Sequence, residues 1–281
     1  DRIELADALH LVYEACDQVV GRLLDAAGPD VTAMVFSLHG MGPNSSKTVL
    51  LPEMLRRVMQ DVSTDAVRSD SGLLGRIREI LPGEFRHRVK SALPVWIRHW
   101  LTAFWRMKEM DWSRTRAFSL IADTQGWIRI NLKGREALGI VEPGGEYNRL
   151  CAQIANGLRT FVDADTSEPI VGNIVRSNQV FEGERLDELP DLIVQWSESP
   201  AANLRAVVSP RYGKIDWPTP GQNPEGRSGN HRKEGMLIAA GQGVKSGTIN
   251  GAHILDLAPT ILTMLGQPIP PDMEGRALFN S

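Results

Sequence analysis

The stretch Val31 to Leu38 (VTAMVFSL) is an apolar run rich in β-forming residues, and it breaks off sharply at His39-Gly40-Met41-Gly42-Pro43. A run without regular polar alternation reads as a strand covered on both faces. Upstream, Leu5, Ala8, Leu9, Val12, Ala15, Cys16, Val19, Val20, Leu23 and Leu24 recur at three- and four-residue spacing, which predicts an amphipathic helix ending at Ala27-Gly28-Pro29. Helix, short turn, buried strand and glycine loop is the order found in an open α/β sheet. Ligands of such sheets lie beyond the C-terminal ends of the strands, so residues 38 to 45 stand where chemistry is usually done.

Further strand-like runs lie at Ala117 to Ala122, Ile128 to Asn131, Ile170 to Arg176, Leu192 to Trp196 and Met236 to Ala240, with a helix between them at Tyr147 to Phe161. Residues Ser209 to Lys233, dense in Pro, Gly, Asn and Arg, read as a long loop, and long loops in compact domains are often functional. A last helix opens at Asp256-Leu257-Ala258-Pro259-Thr260, with proline near its first turn and a stop at Gly266. Between Pro52 and Trp112 the pattern turns helical and charge-rich, with tryptophans at 96, 100, 105 and 112, and residues 52–116 read as a helical insertion. Its stripe of Ile97, Trp100, Leu101 and Phe104 is expected to pack on the domain. The run Leu93 to Met107 is interrupted by Arg98, His99 and Arg106 and falls short of the roughly 20 apolar residues a membrane span needs.

A chain of 281 residues with 42% hydrophobic content can bury a full core, so one large domain carrying an insertion is expected. The net charge of -3 arises from mixed signs and lacks the basic excess of a nucleic-acid binder. Any phosphate chemistry must then come from a local site. Cys16 and Cys151 are too few and too far apart for a disulfide framework or a zinc cluster, which fits a reducing, cytoplasmic setting. The chain opens at Asp1-Arg2-Ile3-Glu4 directly in a helical pattern, with neither signal peptide nor initiator methionine, which predicts a trimmed chain.

Motifs for several enzyme classes are missing. The sequence has no Gly-x-Ser-x-Gly elbow, no Walker loop and no Gly-x-Gly-x-x-Gly after a strand, and neither cysteine lies in a known local nucleophile signature. Of six histidines, His10, His87, His99 and His253 lack partner spacing and read as surface or structural groups. His39 directly follows the buried strand, and His231 sits in the turn Gly226-Arg227-Ser228-Gly229-Asn230-His231 before another. Two imidazoles on loops at sheet ends make a partial metal site, although histidines so distant in sequence need not meet. Asn44, Ser45 and Lys47 either bind a phosphate or sulfate through side-chain and backbone donors or merely shape a turn.

Five segments in order, Val31 to Gly42 (VTAMVFSLHGMG), Asn131 to Val141 (NLKGREALGIV), Pro190 to Trp196 (PDLIVQW), Gly229 to Ala240 (GNHRKEGMLIAA) and Asp256 to Gly275 (DLAPTILTMLGQPIPPDMEG), resemble the C-terminal part of the type I phosphodiesterase and nucleotide pyrophosphatase family, in the alkaline phosphatase superfamily. The resemblance implies that residues 1–281 are the C-terminal portion of one alkaline-phosphatase-like domain, an α/β three-layer sandwich around a central, mostly parallel sheet. It further implies one or two divalent metals, usually zinc, with His39 and His231 as ligands and Asn44, Ser45 and Lys47 near the substrate. The nucleophile and the remaining ligands should precede Asp1. Substrates would be small phosphodiesters, pyrophosphates or sulfate esters. One departure stands out: the family's Ser-Asp-His-Gly reads Ser37-Leu38-His39-Gly40 here, and a leucine cannot ligate a cation. The sequence therefore supports two functions, a metal-dependent hydrolase or a non-catalytic binding or structural module that retains the fold after losing metal ligands.

Overall fold

The computed structural model describes residues 2–60, 110–223 and 226–279, the side chains of residues 2–6 excepted. It divides the chain into two compact units, Asp1–Met41 with His231–Ser281, and Gly42–Asn230.

The second unit holds the core. Helix α2 (Leu51–Gln60) places Leu51, Met54, Leu55 and Val58 on one face by the i, i+3, i+4, i+7 rule, and all four are buried. Helix α3 (Gly145–Arg159) does the same with Leu150, Cys151, Ile154 and Leu158. The two helices pack together and cover a four-stranded sheet of order β3-β4-β7-β6, made from β3 (Ala117–Leu120), β4 (Gly126–Ile130), β7 (Leu192–Trp196) and β6 (Val171–Arg176). Alternation on β4 and β7 sends Ile128, Ile130, Leu192 and Val194 into that core with no exposed surface. A second, three-stranded sheet is formed by β5 (Val162–Asp163), β8 (Ala206–Ser209) and β9 (Gly213–Asp216), in the order β5-β8-β9.

The first unit contains α1 (Arg2–Ala27), β1 (Ala33–Ser37), β11 (Met236–Ala240) and α4 (Leu257–Met264). Strands β1 and β11 pair from Ala33 opposite Ala240 to Ser37 opposite Met236. Beyond Ser37 and Met236 both arms turn, and pairing resumes between β2 (Gly40–Pro43) and β10 (Gly229–Arg232). The Asp256 carboxylate accepts backbone N–H bonds from His253 and Arg276, which hold it below its usual range. The Thr260 hydroxyl donates to the Asp256 carbonyl and accepts from Leu278 N–H, tying the closing segment to α4. The apolar stripe of α1 behaves differently from a packed helix: Leu9 is 66% exposed and Leu23 65%.

The expected three-layer α/β sandwich with a central parallel sheet is not formed. Strands 33–37 and 236–240 do share a sheet, but they run antiparallel, as do β3–β4, β4–β7, β6–β7, β5–β8 and β8–β9. For two of these pairs, connection length gives the reason. A parallel neighbour requires a crossover of a dozen or more residues, whereas β3–β4 and β8–β9 are joined by turns of a few residues that permit only antiparallel pairing. The apolar runs were legible as strands, but their direction was not.

The tryptophan-rich stretch with its stripe of Ile97, Trp100, Leu101 and Phe104 lies outside the described residues, as do His87 and His99. At the edges of the expected insertion, residues 52–60 belong to α2 in the core, and Trp112 packs edge-on against Phe118 with ring centroids 5.2 Å apart. Among the described residues no helix is long and apolar enough to cross a membrane.

Candidate functional site

His39 occupies the turn between β1 and β2, and His231 lies within β10. What joins them is the close approach of two turns, residues 38–39 and 233–235, at the end of the β1–β11 ladder. Gly235 is the permissive residue, since a Cβ there would sit 2.2 Å from the Ser37 carbonyl oxygen. Gly40 plays the same part opposite, where a Cβ would sit 2.5 Å from the Glu234 carbonyl oxygen. With both positions reduced to hydrogen, the Nδ1 atoms of His39 and His231 come to 3.1 Å, and the rings meet at 66°. Both imidazoles are exposed. Gly235→Ala is expected to cost about 1–3 kcal/mol, because the added methyl meets backbone oxygen that cannot rotate away. Thermal unfolding of the variant checks the effect.

Leu38, beside this pair, is 54% exposed and offers no donor atom. Among the described residues no group of three or more His, Cys, Asp or Glu is placed to hold a metal ion. The two imidazoles touch each other, and no carboxylate or thiolate among the described residues completes a metal-holding group with them. His10 pairs with Glu14 on the surface of α1, and His253 accepts from Leu255 N–H through Nδ1 as a helix-onset cap.

The expected substrate-binding trio lies in the second unit, where it holds its own loop. Lys47 has no exposed surface, and its ammonium donates to the carbonyls of Ser45, Ser197 and Ser199 at 3.0–3.1 Å. Burial pushes it down to about 8, with the Asp163 charge pulling the other way. Three donors and three acceptors leave Lys47 nothing for a phosphate. Asn44, 3% exposed, donates to the Arg227 carbonyl and accepts from Ser46 N–H, an Asx turn. Ser45 is half-buried between them. Of the two readings of these residues, the turn-shaping one accounts for Asn44 and Lys47.

A second polar centre escaped the sequence reading. Asp191, just before β7, has a side chain only 3% exposed and receives both Nη atoms of Arg135 at 2.7 and 2.9 Å, Ile130 N–H at 2.6 Å and the Tyr147 hydroxyl at 2.8 Å. Glu136 accepts from Arg135 Nε and Arg129 Nε. Burial opposes the Arg135 charge, but Asp191 and Glu136 more than offset it and hold the guanidinium above its ordinary value. Burial, aided by Asp191, raises the Tyr147 hydroxyl, and burial pushes the Cys151 thiol up to about 11, which makes it a poor nucleophile. The signal for this centre lay in two segments already singled out, NLKGREALGIV and PDLIVQW, whose charged residues are complementary. An open cleft of about 620 Å³ lined by Arg116, Glu142, Glu146, Arg149, Leu150 and Gln153 completes the polar features of this unit, and its Arg116 and Glu146 pair with each other.

Comparison with protein-family models, with curated proteins and with solved structures gives no match.

Proposed function

We propose that the chain belongs to a metal-dependent hydrolase of phosphodiester or pyrophosphate bonds, with sulfate esters as a related substrate class, and that His39 and His231 are metal ligands. The observation that carries this reading is the meeting of two histidines 192 residues apart, each from a segment singled out in the sequence, with ring nitrogens at 3.1 Å. A divalent ion, zinc by preference for imidazole, would supply charge stabilisation at the transferring group and activation of a hydroxyl nucleophile. The chain's own part is to bring an imidazole from the β1–β2 turn and one from β10 into contact. No nucleophile is assigned, because Cys151 is buried and Ser46, the best placed hydroxyl in the 44–48 loop, is bonded to Thr48 and to the Asp123 carbonyl without a base. A cytoplasmic setting is part of the proposal and rests on two cysteines that form no disulfide.

The test is hydrolysis of a chromogenic phosphodiester by the full gene product, with zinc or manganese added after chelation. Turnover that falls at least a hundredfold in His39→Ala, with the fold intact by circular dichroism, is the expected result. Turnover indifferent to both histidines would overturn the assignment of ligands. Absence of turnover with metal bound would favour the non-catalytic module, for which Leu38 and the structural use of Lys47 already argue.

A further inference from the structure

The cradle around Lys47 lies within the second unit and owes nothing to the histidines. We infer that its three carbonyls form a monovalent-cation site, which the chain fills with a cation of its own, the tethered Lys47 ammonium. Free ammonium and potassium are the class of ion that the same oxygens would take.

Three observations carry it. The first is the donor set. The carbonyl oxygens of Ser45, Ser197 and Ser199 converge on one point from two segments far apart in sequence, at 3.1, 3.0 and 3.0 Å from the ammonium nitrogen. Backbone carbonyls in such an array replace the hydration shell of a large monovalent ion. Magnesium, bound at about 2.0–2.1 Å, and calcium, at about 2.3–2.6 Å, would need the oxygens drawn well inside those distances. The second is charge. The donors carry no formal charge, and Asp163 supplies a single opposing one. That balances one positive charge, whereas a divalent ion would leave a surplus in the interior.

The third is preorganisation. Ser197 N–H donates to the Ile170 carbonyl, Ala201 N–H to the Asn44 carbonyl and Ser46 N–H to the Asn44 side chain. These bonds fix both segments without the lysine, so the oxygens stay convergent when its side chain is cut back. Lys47 has no exposed surface, and truncation vacates the space of stem and ammonium together. Three buried acceptors then stand without a donor, which drives a cation to enter. In the wild-type chain the tether makes the junction of residues 44–48 with 197–199 indifferent to the salts around it.

The experiment is thermal unfolding of the full gene product and its Lys47→Ala variant in ammonium, potassium, lithium, magnesium and choline chlorides at matched ionic strength. Lys47→Ala should melt about 2–4 °C higher in ammonium or potassium than in choline, the shift a modestly occupied site gives a domain of this size. Wild type should show no such difference. Crystals of Lys47→Ala soaked in rubidium should carry an anomalous peak in contact with the Ser45, Ser197 and Ser199 carbonyls. A variant that refolds from urea only in ammonium or potassium would support the inference equally, and one that refolds in no salt would overturn it. Equal melting points of Lys47→Ala in all five salts, the same ion ranking in wild type, greater stabilisation by magnesium, or a cradle empty of rubidium would each overturn it as well.

Discussion

Asp191→Asn is expected to lower the unfolding free energy by about 3–5 kcal/mol, the range for removing one partner of a buried ion pair. The carboxylate receives four hydrogen bonds, and the Arg135 guanidinium it neutralises is itself only 13% exposed. An amide keeps the shape but presents an N–H₂ toward donors, so a positive charge is left in the interior with only Glu136 to oppose it. Urea unfolding of wild type and variant gives the value. A loss below about 1 kcal/mol, typical of exposed pairs, would mean that water reaches the centre. Replacing both partners with apolar residues of similar volume should be less harmful than the single change, because no charge is then stranded.

The second expected result concerns Lys47 and pH. Its folded value lies near 8, below the ordinary 10.5. Between those values the unfolded chain holds the proton that the folded chain has given up, so this residue's contribution to stability rises with pH across that window. The slope approaches about 1.4 kcal/mol per pH unit where the difference in bound protons is complete. Below pH 8 both states are protonated, and the cost of holding an ammonium in a dry cradle applies in full. Comparing wild type with Lys47→Met at pH 7 and pH 9.5 isolates the effect, since the methionine cannot titrate. The gap should move in favour of wild type by about 2 kcal/mol. A gap that stays constant would show that the three carbonyls hold the ammonium charged throughout. At pH 7 the variant should still be the weaker protein if three buried carbonyls without donors, at about 1–3 kcal/mol each, outweigh the relief of removing the charge.

Local pattern carried much of this molecule into view. The apolar runs at 33–37, 192–196 and 236–240 are strands, and 145–159 is a helix, whereas the stripe of Leu51, Met54, Leu55 and Val58 went unread because residues 52–116 were assigned to an insertion. Strand direction was lost because an apolar run is the same forwards and backwards; only the connection reveals orientation, and the turns at 121–125 and 210–212 were short enough to have said so. His39 and His231 were singled out from their contexts after and before buried strands, and they meet. Lys47 was left between two readings for a different reason. Beside Asn44 and Ser45 it has the composition of an anion-binding loop, and whether a lysine meets a ligand or three carbonyls depends on residues 197–199, which no local window contains. The same non-locality hid Asp191, whose partner Arg135 stands 56 residues away.

The apolar core described above belongs to residues between Leu50 and Trp217, whereas the two histidines stand in the unit made from the chain's ends. Among the described residues little buried hydrocarbon lies in that unit, so its resistance to fluctuation must come largely from specific polar ties such as those of Asp256 and Thr260. Anything bound by that unit would act there as a clasp. Its binding energy would appear first as slowed amide exchange along β1 and β11, well before any rise in the melting point of the better packed unit.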